Sequence, residues 1–234
     1  MNKKIWVSII CAVLFLGGLG LALSEPIKHY LIIPHHVNTE NDKLMKQSAN
    51  DIKKNQKEKQ NKKLDYSYDP NNVQSVGSEK PKNTIDPRYL NGMIIVPSVD
   101  IKLPILEGIS NDNLNYGAGT MKPNQKIGQG NYALAGHYAY NKNALFTPLT
   151  DLPKDAKIYV TDKNKVYEYQ VDKQFIVDPS HGEVIKDDQG DKIITLVTCT
   201  DVEGSERLII RGHLNKVYDE PNEAPDDIKS AINN

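Results

Sequence analysis

The sequence is poor in cysteine, in net charge and in long apolar runs. Its 234 residues contain two cysteines, Cys11 and Cys199, too few for a disulfide-stapled scaffold. The 29 Lys and Arg nearly cancel the 30 Asp and Glu. That balance excludes a protein that holds a polyanion mainly by net charge. One lone domain cysteine and scattered histidines do not make a zinc site. No glycine loop of the usual phosphate-cradling patterns occurs, and no internal repeat is present.

Only one apolar run is long. Ile5 to Leu23 is 19 residues without a charged side chain, enough to cross a hydrocarbon core of roughly 30 Å as a helix. Lys3 and Lys4 precede it, and Glu25 is the first charge after it. This order favours an inside N-terminus and an exported remainder. A cleaved leader is the alternative, because Ala22-Leu23-Ser24 is an acceptable small-residue cleavage site. The run exceeds the roughly 7–15 residues of a leader's apolar region, which favours an uncleaved anchor. Both readings export everything after residue 25.

Composition divides the rest. Residues 26–83 read as a polar stalk: within 41–63 there are eight Lys, three acids and only four apolar residues, Leu44, Met45, Ala49 and Ile52. Such a segment buries too little surface to offset its ordering entropy, and its basic stretch also suits anionic headgroups. Residues 219–234 carry five acids and one Lys and read as a disordered tail. Residues 84–218 remain, a normal length for one folded domain.

That domain reads as β-structure. About seven short strands are expected, including Met93–Val96, Ile101–Leu106, Tyr132–His137, Lys157–Thr161, Lys165–Val177, Lys192–Cys199 and Arg207–Leu214. Asp162-Lys163-Asn164 marks a hairpin. Pro104 suggests an edge position, and Ser110 suits the cap of a short helix through Tyr116. Many short strands with turn signals between them indicate a barrel or sandwich.

Cys199 is an unpaired thiol on the exported side, and such a thiol is inert, intermolecularly bridged or reactive. It ends the apolar run Ile193–Thr198, and a charged loop (200–206) leads on to Arg207. A thiol becomes a nucleophile beside a base or a cation. His137 closes the small-residue segment Ala133–Gly136, at another strand end. His181 reads as a solvated turn residue, and His213 lies mid-strand with a structural role. Pairing Cys199 with His137 is the preferred reading.

These residues resemble the sortases, cysteine transpeptidases of Gram-positive cell surfaces. TLVTC at 195–199, followed by Arg207, is similar to the family's signature, and ALAGH at 133–137 to its histidine motif. YGAGTMK at 116–122 and VTDKNKVYEY at 160–169 resemble class A members, particularly the streptococcal type. The resemblance implies an all-β fold: an eight-stranded β-barrel with short helices, here preceded by an N-terminal transmembrane helix. The strand missing from the count then falls near 117–128.

By the same resemblance, Cys199 is the nucleophile, His137 the general acid/base, and Arg207 the stabiliser of oxyanion or substrate. Arg211 is the rival; it sits about 13 Å further along the strand at roughly 3.3 Å per residue, and its offset from Cys199 does not match. Ala118, Met121, Ala135, Val197 and Thr198 are implied to bind the peptide, with ordinary barrel packing as their alternative. The implied reaction cleaves LPxTG-type sorting signals between Thr and Gly. It transfers the acyl group to an amine of lipid II or of a peptidoglycan cross-bridge, on the outer face of the membrane. Some class A members respond to calcium through acidic residues before the histidine motif. Residues 118–136 contain no Asp or Glu, so no metal or other cofactor is expected. An exported hydrolase of the same fold and a noncatalytic wall-associated module are the competing functions.

Overall fold

The structure, a computed structural model, describes residues 3–27, 33–61, 66–73, 84–187, 190 and 192–233. The chain divides into two compact units, Met1–His36 and Val37–Asn234. In the first, α1 (Lys3–Ile27) contains the uncharged run, and Val13, Leu14, Phe15 and Leu16 are exposed on it. Among the described residues, no helix is long and apolar enough to cross a membrane.

The second unit is built on eight strands: β1 (Leu90–Val96), β2 (Ile101–Leu106), β3 (Ala118–Thr120), β4 (Gly130–Ala135), β5 (Lys157–Thr161), β6 (Val166–Val177), β7 (Lys192–Cys199) and β8 (Arg207–Tyr218). They close into a barrel in the order β1-β2-β3-β4-β7-β8-β6-β5. The eighth strand is β3, inside the window left for it. Closure removes the exposed edges of an open sheet.

Local chemistry explains the turns. Lys163 is left-handed (φ 64°) at the β5–β6 hairpin, where Asp162 Oδ1 accepts from the amides of Asn164 and Lys165, each at 2.9 Å. Pro104 pairs with Met93 of β1, while β3 meets β2 only at Ile105 and Leu106. β2 is thus not an edge strand, but Pro104 precedes its pairing with β3, and Gly117 packs against it there. Ser110 Oγ accepts from Asn113 N at the start of α4 (Asn111–Tyr116).

Strand alternation sorts the apolar residues onto two faces. Ile94, Ile105, Leu134, Ile158, Tyr169, Leu196 and Ile210 fill the barrel interior. Ala133, Ala135, Val197 and Ile209, one residue out of step, form a second cluster on the other face.

Both flanking segments differ from the composition reading. In the polar stretch, α2 (Ile33–Met45) and α3 (Ala49–Asn61) are helical, and Leu44 and Ile52 are buried. Ser48 and Asp51 cap α3 reciprocally, Ser48 N to Asp51 Oδ2 and Asp51 N to Ser48 Oγ. Asn55 Nδ2 donates to Pro87 O at 3.2 Å. At the other end, α5 (Asp226–Asn233) buries Ile228 and Ile232 against Met93, Ile95 and Tyr159. These two lie four apart, on one helix face. Composition averages over a segment, whereas a docked helix needs only one or two apolar side chains over an apolar patch. The stalk residues 28–32, 62–65 and 74–83 lie outside the described residues.

Docking of α5 predicts a cost for truncating its anchor. Ile228→Ala should lower unfolding stability by about 2 kcal/mol in urea, at the low end for a buried Ile because an end helix can detach locally. A change within about 0.3 kcal/mol would mean that the tail does not pack.

Candidate active site

Three strand ends bring the site together. Cys199 is the last residue of β7 and pairs directly with Arg207, the first residue of β8. On the other side β4 runs parallel to β7, with Ala135 opposite Val197 and Gly136 N donating to Val197 O at 3.1 Å. Continued for two residues, that register sets His137 beside Cys199. Adjacent strands lie about 4.8 Å apart, so imidazole, thiol and guanidinium come from three neighbouring chain positions. Both His137 and Cys199 are buried.

Glycines fix the local shape. A Cβ on Gly136 would lie 2.4 Å from Phe146 Cγ, so only glycine lets that ring pack against the histidine segment. His137 O accepts from Phe146 N at 3.1 Å, which ties the following loop back to the strand end. Gly204, left-handed at φ 71°, turns the 200–206 loop. Asp201 Oδ1 accepts from Gly204 N (2.6 Å) and Ser205 N (3.1 Å). The turned loop presents Gly204 O to Arg207 Nη1 at 2.8 Å, orienting the guanidinium toward the thiol.

A peptide carbonyl already sits between these groups. Val73 O accepts from Arg207 Nη2 at 2.8 Å and from the Cys199 thiol at 3.8 Å. Arg207 therefore holds a carbonyl oxygen beside the thiol, the arrangement that stabilises charge developing on that oxygen. Burial pushes the Cys199 thiol above its ordinary value; the Arg207 charge pulls it back and Asp201 adds to the rise.

The other sequence-derived residues separate. Met121, Ala135 and Val197 join the second cluster, together with Val73, Ile109, Leu114 and Ile209. Ala118 lies in the barrel interior. Thr198 is fully buried and alternates with Val197 and Cys199, so it faces away from them; its Oγ1 has no hydrogen-bond partner. Arg211 pairs with Thr195, donates to Val184 O at 2.9 Å and lies 6.0 Å from the Phe175 ring centroid, bracing the turn at 182–185. His181 is exposed and bonded to Glu183 at 2.6 Å. His213 is exposed, 3.7 Å from Asp172. Among the described residues, no group of three or more His, Cys, Asp or Glu is placed to hold a metal.

Sequence reasoning missed Ile209 and Val73. Counting by two from Arg207 identifies Ile209. Nothing local marks Val73, which sits in a polar segment.

The opposing pulls on the thiol predict a pH profile. Alkylation of Cys199 should keep accelerating past the ordinary thiol midpoint, and Arg207→Ala should move that midpoint to higher pH. A midpoint that stayed or fell in the variant would show that the guanidinium does not stabilise the thiolate.

A family model described as "Sortase domain" matches residues 94–215. Sortase A of Streptococcus agalactiae is 39% identical over 219 residues, 90% of this chain and 84% of that protein. Sortase A of Bacillus anthracis is 33% identical, over 92% and 97% of the respective chains. The crystal structure of Listeria monocytogenes sortase A superposes with a TM-score of 0.57 at 35% identity, covering 62% of this chain and 97% of that one. With its closed barrel and these matches, the chain belongs to the sortase family and is a transpeptidase of the sortase A type.

Proposed function

We propose that this transpeptidase cleaves LPxTG-type sorting signals between Thr and Gly and joins the Thr carbonyl to an amine of lipid II or of a peptidoglycan cross-bridge. One observation carries the reading: Arg207 and Cys199 converge on a single peptide carbonyl oxygen. The Cys199 thiol gives its proton to His137, the thiolate attacks the Thr carbonyl, and Arg207 donates hydrogen bonds to the oxyanion. His137 protonates the departing Gly amine, and a thioester remains on Cys199. The acceptor amine then attacks the thioester, gives its proton to His137 and releases the thiolate. Met121, Ala135 and Val197 belong to an apolar cluster suited to the Leu and Pro of the signal.

The substrates are surface proteins that carry the signal. The uncharged run at 5–23 anchors the enzyme as a single-pass protein with its N-terminus in the cytoplasm and the barrel outside. The 19-residue uncharged run after Lys3 and Lys4 supports this. Calcium is not required. Among the described residues, the Asp187 carboxylate reaches the β3–β4 loop and already holds a cation there: Lys122 Nζ lies 2.7 Å from its Oδ1. Several oxygen ligands, usually carboxylates, are what calcium needs.

An LPxTG peptide and an amine acceptor test the reading, with chelator or with calcium. The wild type should form the amide product at equal rates in both. Cys199→Ala should abolish it, His137→Ala should slow it by roughly 10²–10⁴-fold, and Arg207→Ala by roughly 10²–10³-fold. Wild-type rates in Cys199→Ala would sink the mechanism. Free acid formed in preference to the amide would make the enzyme a hydrolase, and acceleration by calcium would refute the metal reading.

A further inference from the structure

Strand register lays three rows of side chains on one barrel face, read across β4, β7 and β8. His137, Cys199 and Arg207 form the first row. Ala135, Val197 and Ile209 form the second, and Ala133, Thr195 and Arg211 the third. The second row belongs to the apolar cluster, and Val184 and Ile185 pack against that cluster from the turn at Gly182–Ile185. Arg211 lies four residues from Arg207, about 13 Å at roughly 3.3 Å per residue. Three residue steps separate the signal's Leu from its scissile Thr, at most about 10 Å of extended chain. A turn seated on the third row therefore stands just beyond the Leu.

Two strands fasten that turn. Asn131, fully buried on β4, donates through Nδ2 to Val184 O at 3.0 Å and to Lys186 O at 3.1 Å. Its Oδ1 accepts from Thr195 Oγ1 at 2.8 Å, and its main-chain N donates to Asp187 Oδ1 at 2.7 Å. From β8, Arg211 Nη2 donates a further bond to Val184 O at 2.9 Å. Its guanidinium lies 6.0 Å from the ring centroid of Phe175, which also packs against the apolar cluster. Val184 O is thus held from both sides, which fixes the main chain that carries the Val184 and Ile185 side chains. Arg211 Nε is buried without a hydrogen-bond partner. A buried donor left unpaired costs stability, and Arg211 bears that cost at the turn.

We propose that Asn131 and Arg211 are positioning residues of the acyl-donor site, which hold Val184 and Ile185 as the end wall against which the Leu of the sorting signal packs. This rests on the reading of Cys199 and Arg207 as the groups that act on the signal's Thr. Neither positioning side chain touches the reacting atoms. A fixed wall favours the full Leu side chain, because a shorter one leaves a void behind it. A loose wall collapses onto the shorter side chain and discriminates less.

Two variants of the full chain test this through two readouts. Arg211→Met keeps an aliphatic stem and loses the bond to Val184 O. Asn131→Asp keeps the shape and the acceptor and loses both amide donors. Arg211 is only partly buried, so its variant carries the test if the change at Asn131 prevents folding. Deuterium exchange of the Val184 and Lys186 amides should accelerate roughly tenfold in either variant. The kcat/KM for an LPxTG peptide, divided by that for the same peptide with Ala in place of Leu, should fall about threefold to tenfold. The kcat on the LPxTG peptide should stay within about twofold of the wild type. Unchanged exchange in both variants would overturn the fastening. Faster exchange with the Leu preference intact would overturn the end wall, because a brace with only a structural role loosens the turn without touching selectivity. A wild type that cleaves neither peptide would count against the proposed function. The exchange comparison needs no substrate and would still decide the fastening.

Discussion

The site depends on the pairing of Cys199 with Arg207 across the ends of β7 and β8. Antiparallel pairing puts the two residues opposite one another whatever their side chains do. The 200–206 loop then needs only to turn the guanidinium toward the sulfur, and Asp201 and Gly204 perform that turn. The parallel β4–β7 ladder supplies the third member, because its register carries His137 to the level of Cys199. Barrel closure holds all three strand ends in place. The chemistry therefore rests on main-chain register more than on side-chain packing.

Register also decides which residues flank the thiol. A step of one residue along a strand reverses the face. Val197 and Cys199 consequently share a face, and Thr198 between them turns away. Burial and charge then act on the thiol in opposite directions. The protein interior disfavours the thiolate, and the fixed charge of Arg207 offsets part of that penalty. Burial also shields the thiol from solvent oxidants.

Much of this was legible in the sequence, for identifiable reasons. The strand end at Cys199 follows from an apolar run broken by a polar loop, as does the strand before His137, which ends two residues sooner than expected, at Ala135; the hairpin at 162–164 follows from turn chemistry. The motif spacing of Cys199, His137 and Arg207 reflects the ladder itself. Ala118 and Thr198 were expected beside the peptide, yet they lie on the interior side; proximity along the chain does not reveal the face. The docking of α3 and α5 was not legible either. It rests on single side chains such as Ile52 and Ile228, and their value depends on patches assembled from distant strands. Val73 is the extreme case: one apolar residue after a polar turn, placed over the thiol by partners more than thirty residues away, among them Ile109, Ala135 and Arg207.

The central claim is that Cys199 itself attacks a carbonyl held by Arg207. Its most direct test is the mass of the enzyme after mixing with an LPxTG peptide and no amine acceptor, followed by peptide mapping. An adduct with the mass of the acyl fragment ending in Thr, located on Cys199 and discharged by added amine, is the result expected. Cleavage that proceeds while Cys199 stays unmodified, or an acyl group mapped to another residue, would contradict the account.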